Sequence, residues 1–350
     1  MPPKPYLVAL VAAAAAGACG GPGTAPVDAT APVDAAAPDA PDAPVPVDAA
    51  IDAPTGVLPL TGAVSPAHDP TILWSGSAYY VLTTGPGLPV LRSTDLLAWS
   101  TVGAVFATRP PWITTTNPAD PDVLWAPDLS YFGGEYHLYY AASSFGSRRS
   151  CIGHATTASL DDPDWVDRGS AVICSTEADD WNAIDPALIV DADGAPWLAF
   201  GSFWGGLKLI PLDADGDRLG TEMYALSTRP NSAVEAPFLI YRDGYYYLFE
   251  SVDHCCQGVA SDYKQMVGRA TSITGPYLDR DGTPLLAGGG TLLLAGDNRW
   301  KGPGHSAVLA TDFGHVNVYH SYDAAAGGAP TLRIAVLTWG ADGWPRSAGP

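Results

Sequence analysis

Basic residues are scarce in this chain: 17 Lys and Arg stand against 37 Asp and Glu, giving a formal net charge of −20 at pH 7. Proteins that bind nucleic acid or anionic surfaces rely on clustered Lys and Arg, so this composition argues against both kinds of partner. Charged residues of either sign make up only 15% of the chain, whereas hydrophobic residues make up 47%. The composition therefore predicts a globular domain with a large core that acts on a neutral or cationic molecule.

Long apolar runs are also missing after the first residues of the chain. The apolar stretch at residues 6–16 follows Lys4 and is too short to cross a bilayer as a helix, which is typical of an export signal. It ends in small residues before Cys19, a pattern that resembles the bacterial lipoprotein signal. Residues 1–18 are thus predicted to be removed and Cys19 to be lipidated. An ordinary secretory signal is the alternative. In the first case the protein is a lipoprotein of the cell envelope, at the outer membrane or cell surface, and in the second it is secreted.

The segment that follows, residues 19–60, consists of Ala, Pro, Val and Asp in loose repeats. Its prolines lack a backbone donor and favour extended geometry, while its aspartates repel one another. This composition predicts a disordered, flexible tether, and residues 61–350 are predicted to hold the folded domain.

Cysteine is sparse, and its spacing does not indicate a zinc site. Cys151 and Cys174 flank a probable strand–turn–strand and could pair in an oxidising compartment. The adjacent Cys255 and Cys256 are expected either to form a vicinal disulfide or to remain thiols.

A polar motif marked by Pro or Gly recurs five times, each time before a strand, a turn and an aromatic-rich strand. The predicted strand pairs are 71–74 with 79–84, 129–132 with 136–142, 187–190 with 196–200, 238–241 with 245–249, and 307–310 with 316–319. Recurring four-stranded units without helical periodicity predict an all-β, five-bladed β-propeller. A β-sandwich is the alternative, but recurrence of the same polar opening disfavours it.

The innermost strands of a propeller line its central channel, so the five polar openings are expected to converge on one mouth. The residues expected to ring it are Asp69, Asp128, Asp185, Glu235 and His305. Paired carboxylates are what cleavage of a glycosidic bond requires, one as general acid and one as general base. A third carboxylate nearby helps the acid to keep its proton by raising its pKa.

Several of these motifs resemble glycoside hydrolase family 43. They are His68–Pro70, Trp125–Asp128, Asn182–Pro186 and Val234–Phe238. Further motifs resemble the endo-1,5-α-L-arabinanase branch of that family, namely Gly201–Gly206, Asp253–Gly258, Gly288–Thr291, Gly302–Ser306 and Tyr319–Asp323. The resemblance implies a five-bladed propeller that hydrolyses arabinan or arabino-oligosaccharides. It would cut bonds in the interior of the polysaccharide, with inversion at the anomeric carbon.

Carried over to this chain, the resemblance implies that Asp69 is the general base, that Glu235 is the general acid, and that Asp185 tunes the pKa of Glu235 and orients it. The implied sugar contacts are His68, Trp125, Phe145, Asn182 and Ser202. His305 matches a histidine that holds a metal ion, usually calcium, together with water; a hydrogen-bonded histidine without metal is the alternative. Asp128 has no implied catalytic role, and no organic cofactor is expected.

Two other functions remain open at this stage. The first is an exo-acting α-L-arabinofuranosidase or β-xylosidase of the same fold. The loops around the pocket decide whether it admits the interior of a polysaccharide or only its ends, and their shape cannot be predicted from the sequence. The second is a surface polysaccharide-binding lipoprotein without catalysis, which retention of Asp69, Asp185 and Glu235 disfavours. A closed propeller has no sheet edge that demands a partner, so a monomer is expected.

Overall fold

The computed structural model describes residues 54–116 and 123–350. The predicted signal peptide, Cys19 and most of the predicted tether lie outside these described residues. In the described part, no helix is long and apolar enough to span a bilayer.

Strands account for nearly all the regular structure of the described residues. In chain order they are β1 (Thr61–Gly62), β2 (Thr71–Trp74), β3 (Tyr79–Leu82), β4 (Gly85–Pro86), β5 (Pro89–Ser93), β6 (Ala98–Ala104), β7 (Val123–Phe132), β8 (Glu135–Ala142), β9 (Ser150–Thr157), β10 (Val166–Ser175), β11 (Ala187–Val190), β12 (Pro196–Phe200), β13 (Leu207–Pro211), β14 (Tyr224–Ser227), β15 (Val234–Arg242), β16 (Tyr245–Val252), β17 (Lys264–Ala270), β18 (Thr291–Ala295), β19 (Trp300–Thr311), β20 (Gly314–Asp323), β21 (Ala329–Trp339) and β22 (Pro345–Ser347). One short helix, α1 (Pro111–Thr116), and the 3₁₀ turns Gly258–Ala260, Leu285–Ala287 and Ala324–Ala326 complete the set.

These strands form five sheets of four or five strands each, ordered β1-β6-β5-β3-β2, β10-β9-β8-β7-β4, β11-β12-β13-β14, β15-β16-β17-β18 and β19-β20-β21-β22. We call them the first to fifth blades. The innermost long strands β2, β7, β11, β15 and β19 contact one another in turn, and β19 returns to β2. The predicted five-bladed β-propeller is therefore confirmed.

The predicted strands all occur, but their bounds agree only in part. β2, β11 and β12 have the predicted bounds, whereas β7, β15 and β19 begin several residues earlier than predicted. In these three blades the polar motif itself pairs with the next strand, across a shift of register that a bulge allows. The motifs are thus part of the sheets and not loops in front of them.

The core lies between the blades, because inner strands such as β9 and β16 bury both of their faces. On β16, Leu248 packs with Leu209 of the third blade, whereas its neighbour Phe249 packs with Leu337 of the fifth. Since successive strand residues point to opposite faces, two adjacent apolar residues serve two different interfaces. This explains why β16 carries adjacent apolar residues instead of alternating apolar and polar ones, whereas the outer strands β6 and β10 are largely exposed.

The ring is closed by the segment before the first blade. Leu58 N donates to Ile334 O at 2.8 Å, Val336 N donates to Gly56 O at 2.9 Å, and Leu332 N donates to Val64 O at 2.8 Å. Leu58 is also buried in the interface between the first and fifth blades. Residues 56–60, which the sequence places in the tether, thus lie against β21.

Both cysteine pairs are disulfide-bonded. Cys151 and Cys174 lie opposite each other on β9 and β10 and form a cross-strand disulfide. Cys255 and Cys256 form a vicinal disulfide in the loop after β16.

Candidate active site

A residue with left-handed backbone geometry occupies the equivalent point of every blade. These residues are Asp69, Ala126, Asp185, Ala236 and His305, and their φ angles lie between 42° and 57°. Residues other than glycine seldom adopt this region, and such strain is concentrated at functional sites. The sequence pattern aligned Asp128 and Glu235 with these positions. In the structure, Asp128 follows Ala126 by two residues, and Glu235 precedes Ala236 by one.

Asp69 is surrounded by hydrogen-bond donors. Its Oδ2 accepts from Thr84 Oγ1 at 2.6 Å and lies 2.8 Å from His68 Nδ1. Its Oδ1 lies 3.2 Å from His305 Nδ1. Burial opposes the charge, but His68 and His305 outweigh it and hold the pKa of Asp69 well below its usual range. Asp69 is therefore ionised at neutral pH, as a general base must be.

Glu235 is buried and has two hydroxyl partners. Ser202 Oγ donates to Glu235 Oε2 at 2.6 Å, and Tyr263 also hydrogen-bonds the Glu235 side chain. Burial raises the pKa of Glu235, although the bonds from Ser202 and Tyr263 oppose the rise. A carboxyl that keeps its proton at higher pH is suited to act as a general acid.

Tyr263 can reach Glu235 because residue 304 is glycine. A Cβ at Gly304 would lie 1.9 Å from Cδ1 of the fully buried Tyr263 ring. The sequence analysis missed Tyr263. The only sequence signal was Gly304 in the fifth motif, because a glycine in a strand often marks a point where another group approaches the backbone closely.

Asp185 is coupled to Glu235 both through the backbone and through charge. Its Oδ2 accepts from the backbone N–H of Ala236, the residue after Glu235, at 3.1 Å. Burial and the negative charge of Glu235 raise the pKa of Asp185 well above its usual range. Each of the two buried carboxyls therefore holds a proton more tightly than an ordinary carboxyl does.

His305 is buried beside these carboxyls and anchored by its backbone, whose N–H donates to Ser251 Oγ at 2.8 Å. Burial lowers the pKa of His305, but the charge of Asp69 and the hydrogen bond to it raise the pKa to about 9. Asp185 and Glu235 act in the same direction.

The protein atoms around His305 do not by themselves fit a calcium ion. Among the described residues, no set of three candidate ligand atoms from His, Cys, Asp or Glu includes His305. Its Nδ1 is already paired with Asp69, and calcium takes about six to eight oxygen ligands. A calcium ion here would depend on water for most of its coordination sphere.

His68 was predicted to contact sugar, but both of its ring nitrogens have protein partners. Nδ1 faces Asp69, and Nε2 lies 2.7 Å from the hydroxyl of Tyr322. The ring also stacks on His320 at 3.9 Å, and His320 Nδ1 accepts from the Asp69 backbone N–H at 3.1 Å. The sequence analysis assigned no role to His320 or Tyr322, although both lie in the motif Tyr319–Asp323 on which the family resemblance partly rested.

The other predicted sugar contacts differ in exposure. Phe145 is 82% exposed, Trp125 is half-buried, and Asn182 is buried. Asn182 Oδ1 is buried and has no hydrogen-bond partner among the described residues, so its bonding capacity is unfilled. Ser202 is buried and bonded to Glu235, which places it beside the proposed acid. Contact with sugar remains a prediction for these four residues and for His68.

The side chain of Asp128 joins the second blade to the third. Its Oδ2 accepts from Leu188 N of the third blade at 3.0 Å and from Ser130 Oγ at 2.8 Å. Burial raises the pKa of Asp128 to about 6. In the described part of the chain it makes no hydrogen bond to the other three acids. Asp128 thus links two blades, in line with its lack of an implied catalytic role.

One pocket therefore brings together Asp69, whose pKa is lowered, and Glu235 and Asp185, whose pKa values are raised. The charges of these three acids and of His305 influence one another. A carboxyl that holds its proton more tightly, beside a carboxylate that has lost its own, can protonate a leaving oxygen and activate a water molecule.

Comparison with known proteins points to the same chemistry. The model of the family "Glycosyl hydrolases family 43" matches residues 64–345. Extracellular endo-α-(1→5)-L-arabinanase 1 of Bacillus subtilis (strain 168) is 47% identical over 284 residues, which cover 79% of this chain and 86% of that protein. Extracellular exo-α-(1→5)-L-arabinofuranosidase ArbA of Cellvibrio japonicus is 38% identical over 296 residues, with coverage of 80% and 85%.

A solved structure agrees with these sequence comparisons. The GH43 endo-arabinanase from Bacillus licheniformis superposes on this chain with a TM-score of 0.79 at 46% identity. The match covers 83% of this chain and 99% of that one.

Proposed function

Because this chain belongs to glycosyl hydrolase family 43, we propose that it is an inverting glycosidase that cleaves 1,5-α-L-arabinan within the polymer. The observation that carries the proposal is the opposite displacement of two pKa values in one pocket, lowered at Asp69 and raised at Glu235. The relatives named as arabinanases support the choice of substrate.

In the proposed reaction Glu235 protonates the leaving glycosidic oxygen. Asp69 accepts a proton from the water molecule that attacks the anomeric carbon from the opposite face, so the configuration inverts. Asp185 acts on Glu235 through its charge and through the bond to Ala236 N. Ser202 and Tyr263 hold the Glu235 carboxyl in place. The reaction needs no organic cofactor.

Substrate is proposed to lie across the mouth of the channel, with Phe145 and Trp125 against sugar faces and Asn182 bonded to a sugar hydroxyl. The large exposed ring of Phe145 supports this, because exposed apolar surface often marks a site of interaction. Replacing Phe145 with alanine is expected to raise the KM for arabino-oligosaccharides more than it lowers kcat.

The predicted calcium ion at His305 stays a separate proposal, and no step of the reaction is assigned to it. Such an ion would be held mainly by water, with His305 at its edge. Treatment of the purified protein with a chelator should then lower its melting temperature, and added calcium should restore it. If neither treatment changes the melting temperature, a dissociable calcium ion is ruled out.

Export of the protein is proposed from the signal at residues 1–18, and the two relatives named as extracellular support it. Lipidation at Cys19 is the finer part of this proposal. Mass spectrometry of the mature N-terminus decides it: a diacylglycerol-modified cysteine supports the anchor, and a cleaved chain with an unmodified thiol contradicts it.

The test of function is the time course of products from linear 1,5-α-L-arabinan. An endo enzyme releases a mixed ladder of arabino-oligosaccharides from the start. Early release of arabinose or of one short product alone would indicate the exo alternative. That alternative is tested because the 38% identical Cellvibrio relative is named as an exo-acting enzyme. An Asp69→Asn variant is the matched inactive control, and no release by the wild type would refute the proposal.

A further inference from the structure

The vicinal disulfide Cys255–Cys256 lies beside the proposed base and not on a remote surface. Cys256 is exposed, and its Sγ is 3.9 Å from His68 Nε2. The loop that carries it is held in place by Lys264 Nζ, which pairs with Asp253 Oδ2 at 2.6 Å, and by Gln257 N, which donates to Ser261 Oγ at 3.0 Å. Nothing in the proposed reaction uses these two cysteines.

A chain of hydrogen bonds runs from this loop to Asp69. The backbone N–H of Cys256 donates to the hydroxyl of Tyr322 at 2.7 Å. The same hydroxyl lies 2.7 Å from His68 Nε2 and also hydrogen-bonds Ser261. Tyr322 therefore ties the Cys256 amide to the His68 ring.

This tie determines how the His68 ring meets Asp69. His68 Nδ1 is 2.8 Å from Asp69 Oδ2, and because Asp69 is ionised this contact requires a proton on Nδ1. Burial raises the pKa of Tyr322, which keeps its hydroxyl protonated. Each of the three contacts is shorter than 3 Å, so together they hold the His68 ring against Asp69.

We propose that the Cys255–Cys256 disulfide positions Asp69 through Tyr322 and His68, and that full turnover requires the disulfide to be oxidised. The inference rests on the proposed function of Asp69. Tyr322, His68 and the disulfide are positioning groups, because the reacting water is expected to contact Asp69. Similar orienting partners of a catalytic group fix its tautomer and direction in other enzymes.

Loss of the disulfide should affect turnover more than binding. A dithiol breaks the S–S bond and delivers one electron and one proton to each sulfur, while the dithiol itself becomes a cyclic disulfide. The Cys256 amide is then free to leave Tyr322, and the His68 ring loses part of the support that holds Nδ1 against Asp69. The expected result is a fall in kcat of about 10–100-fold, the range typical of lost orienting bonds, with KM for a linear arabino-oligosaccharide within about twofold.

The experiment compares the full-length wild type, Cys255→Ser/Cys256→Ser and Tyr322→Phe. Both variants should show the fall in kcat at unchanged KM. Wild type treated with dithiol should show it too and recover on reoxidation, with alkylation and mass spectrometry identifying the reduced pair. Cys151→Ala/Cys174→Ala is the matched control, because it removes the cross-strand disulfide alone. It should keep normal kcat and the same response to dithiol.

A second variant separates positioning from general damage. In His68→Asn the amide N–H replaces the Nδ1 proton without needing Tyr322, so adding Tyr322→Phe should cause no further loss. A further tenfold loss would overturn the proposal. It would also be overturned if kcat of Cys255→Ser/Cys256→Ser and Tyr322→Phe stayed within twofold of the wild type. Failure of the proposed function looks different, since the wild type itself would then be inactive on arabinan.

Discussion

Replacement of Asp128 by asparagine should stabilise the protein at neutral pH. Asp128 is buried, and a single oxygen, Oδ2, accepts both of its hydrogen bonds, from Leu188 N and Ser130 Oγ. An asparagine with its carbonyl oxygen in that place keeps both bonds. It also removes a charge that burial penalises.

The size of the effect follows from the pKa. The Asp128 carboxyl titrates at about 6 in the folded protein, against 3.8 for an ordinary aspartate. Between these pH values the folded protein holds a proton that the unfolded chain has lost, so wild-type stability falls as the pH rises through this window. Above about pH 6 the full penalty applies. A displacement of about two pH units corresponds to about 3 kcal/mol, which is an upper value for the gain in Asp128→Asn.

Urea unfolding of the wild type and Asp128→Asn at pH 4 and at pH 8 measures this gain. The variant should be more stable at pH 8, and the two proteins should be nearly equal at pH 4. Asp193→Asn, at an exposed turn, is the control and should show no such dependence on pH. A variant that is less stable at pH 8, or whose difference from the wild type is the same at both pH values, would refute the reasoning.

Three further predictions concern the site and the sheets. Ser202→Ala removes a bond that stabilises ionised Glu235 and so raises its pKa further; the alkaline limb of the kcat/KM profile should move to higher pH, and an unchanged or lower limb would contradict the assignment of Glu235 as the acid. Asp69→Asn and Glu235→Gln should each lower kcat by about 10²–10⁴-fold without loss of fold, measured with linear arabinan and circular dichroism; near-normal turnover would remove the residue from its role. Cys151→Ala/Cys174→Ala should lower the free energy of unfolding by about 2–4 kcal/mol in urea titrations, and no change would mean that the cross-strand disulfide adds nothing to stability.

Much of the fold follows from the sequence because its signal is repetitive. β2, β11 and β12 were predicted to the residue, since each is bounded by turn residues and carries an apolar run. The starts of β7, β15 and β19 were missed because proline and charged residues argue against a strand, whereas bulges admit them.

The register between blades could not be found from residue type. The pattern aligned Asp128 and Glu235 with Asp69 because all three are acids. The backbone instead aligns Ala126 and Ala236 with Asp69, because all three have left-handed geometry. An alanine in the sequence does not indicate that geometry.

The three proposed catalytic acids were accessible to sequence analysis because all of them lie in the recurring motif. Tyr263 and Tyr322 were not, because they do not come from innermost strands. Tyr263 precedes β17 and Tyr322 lies on β20, and Tyr322 meets His68, which is 254 residues away in sequence. Sequence spacing carries no direct signal of such contacts.

The hydrogen bonds between residues 56–67 and 330–336 determine when folding can finish. Gly56 belongs to the first residues of the folded part, but its partner, Val336, lies near the end of the chain. Contacts between residues so far apart in sequence form slowly, because the loop entropy is lost before the contact is gained. The blades can form one after another during synthesis, while the ring stays open until the last of them has emerged. Until then the apolar faces of the first and fifth blades remain exposed, which is the stage at which this chain is most prone to aggregate.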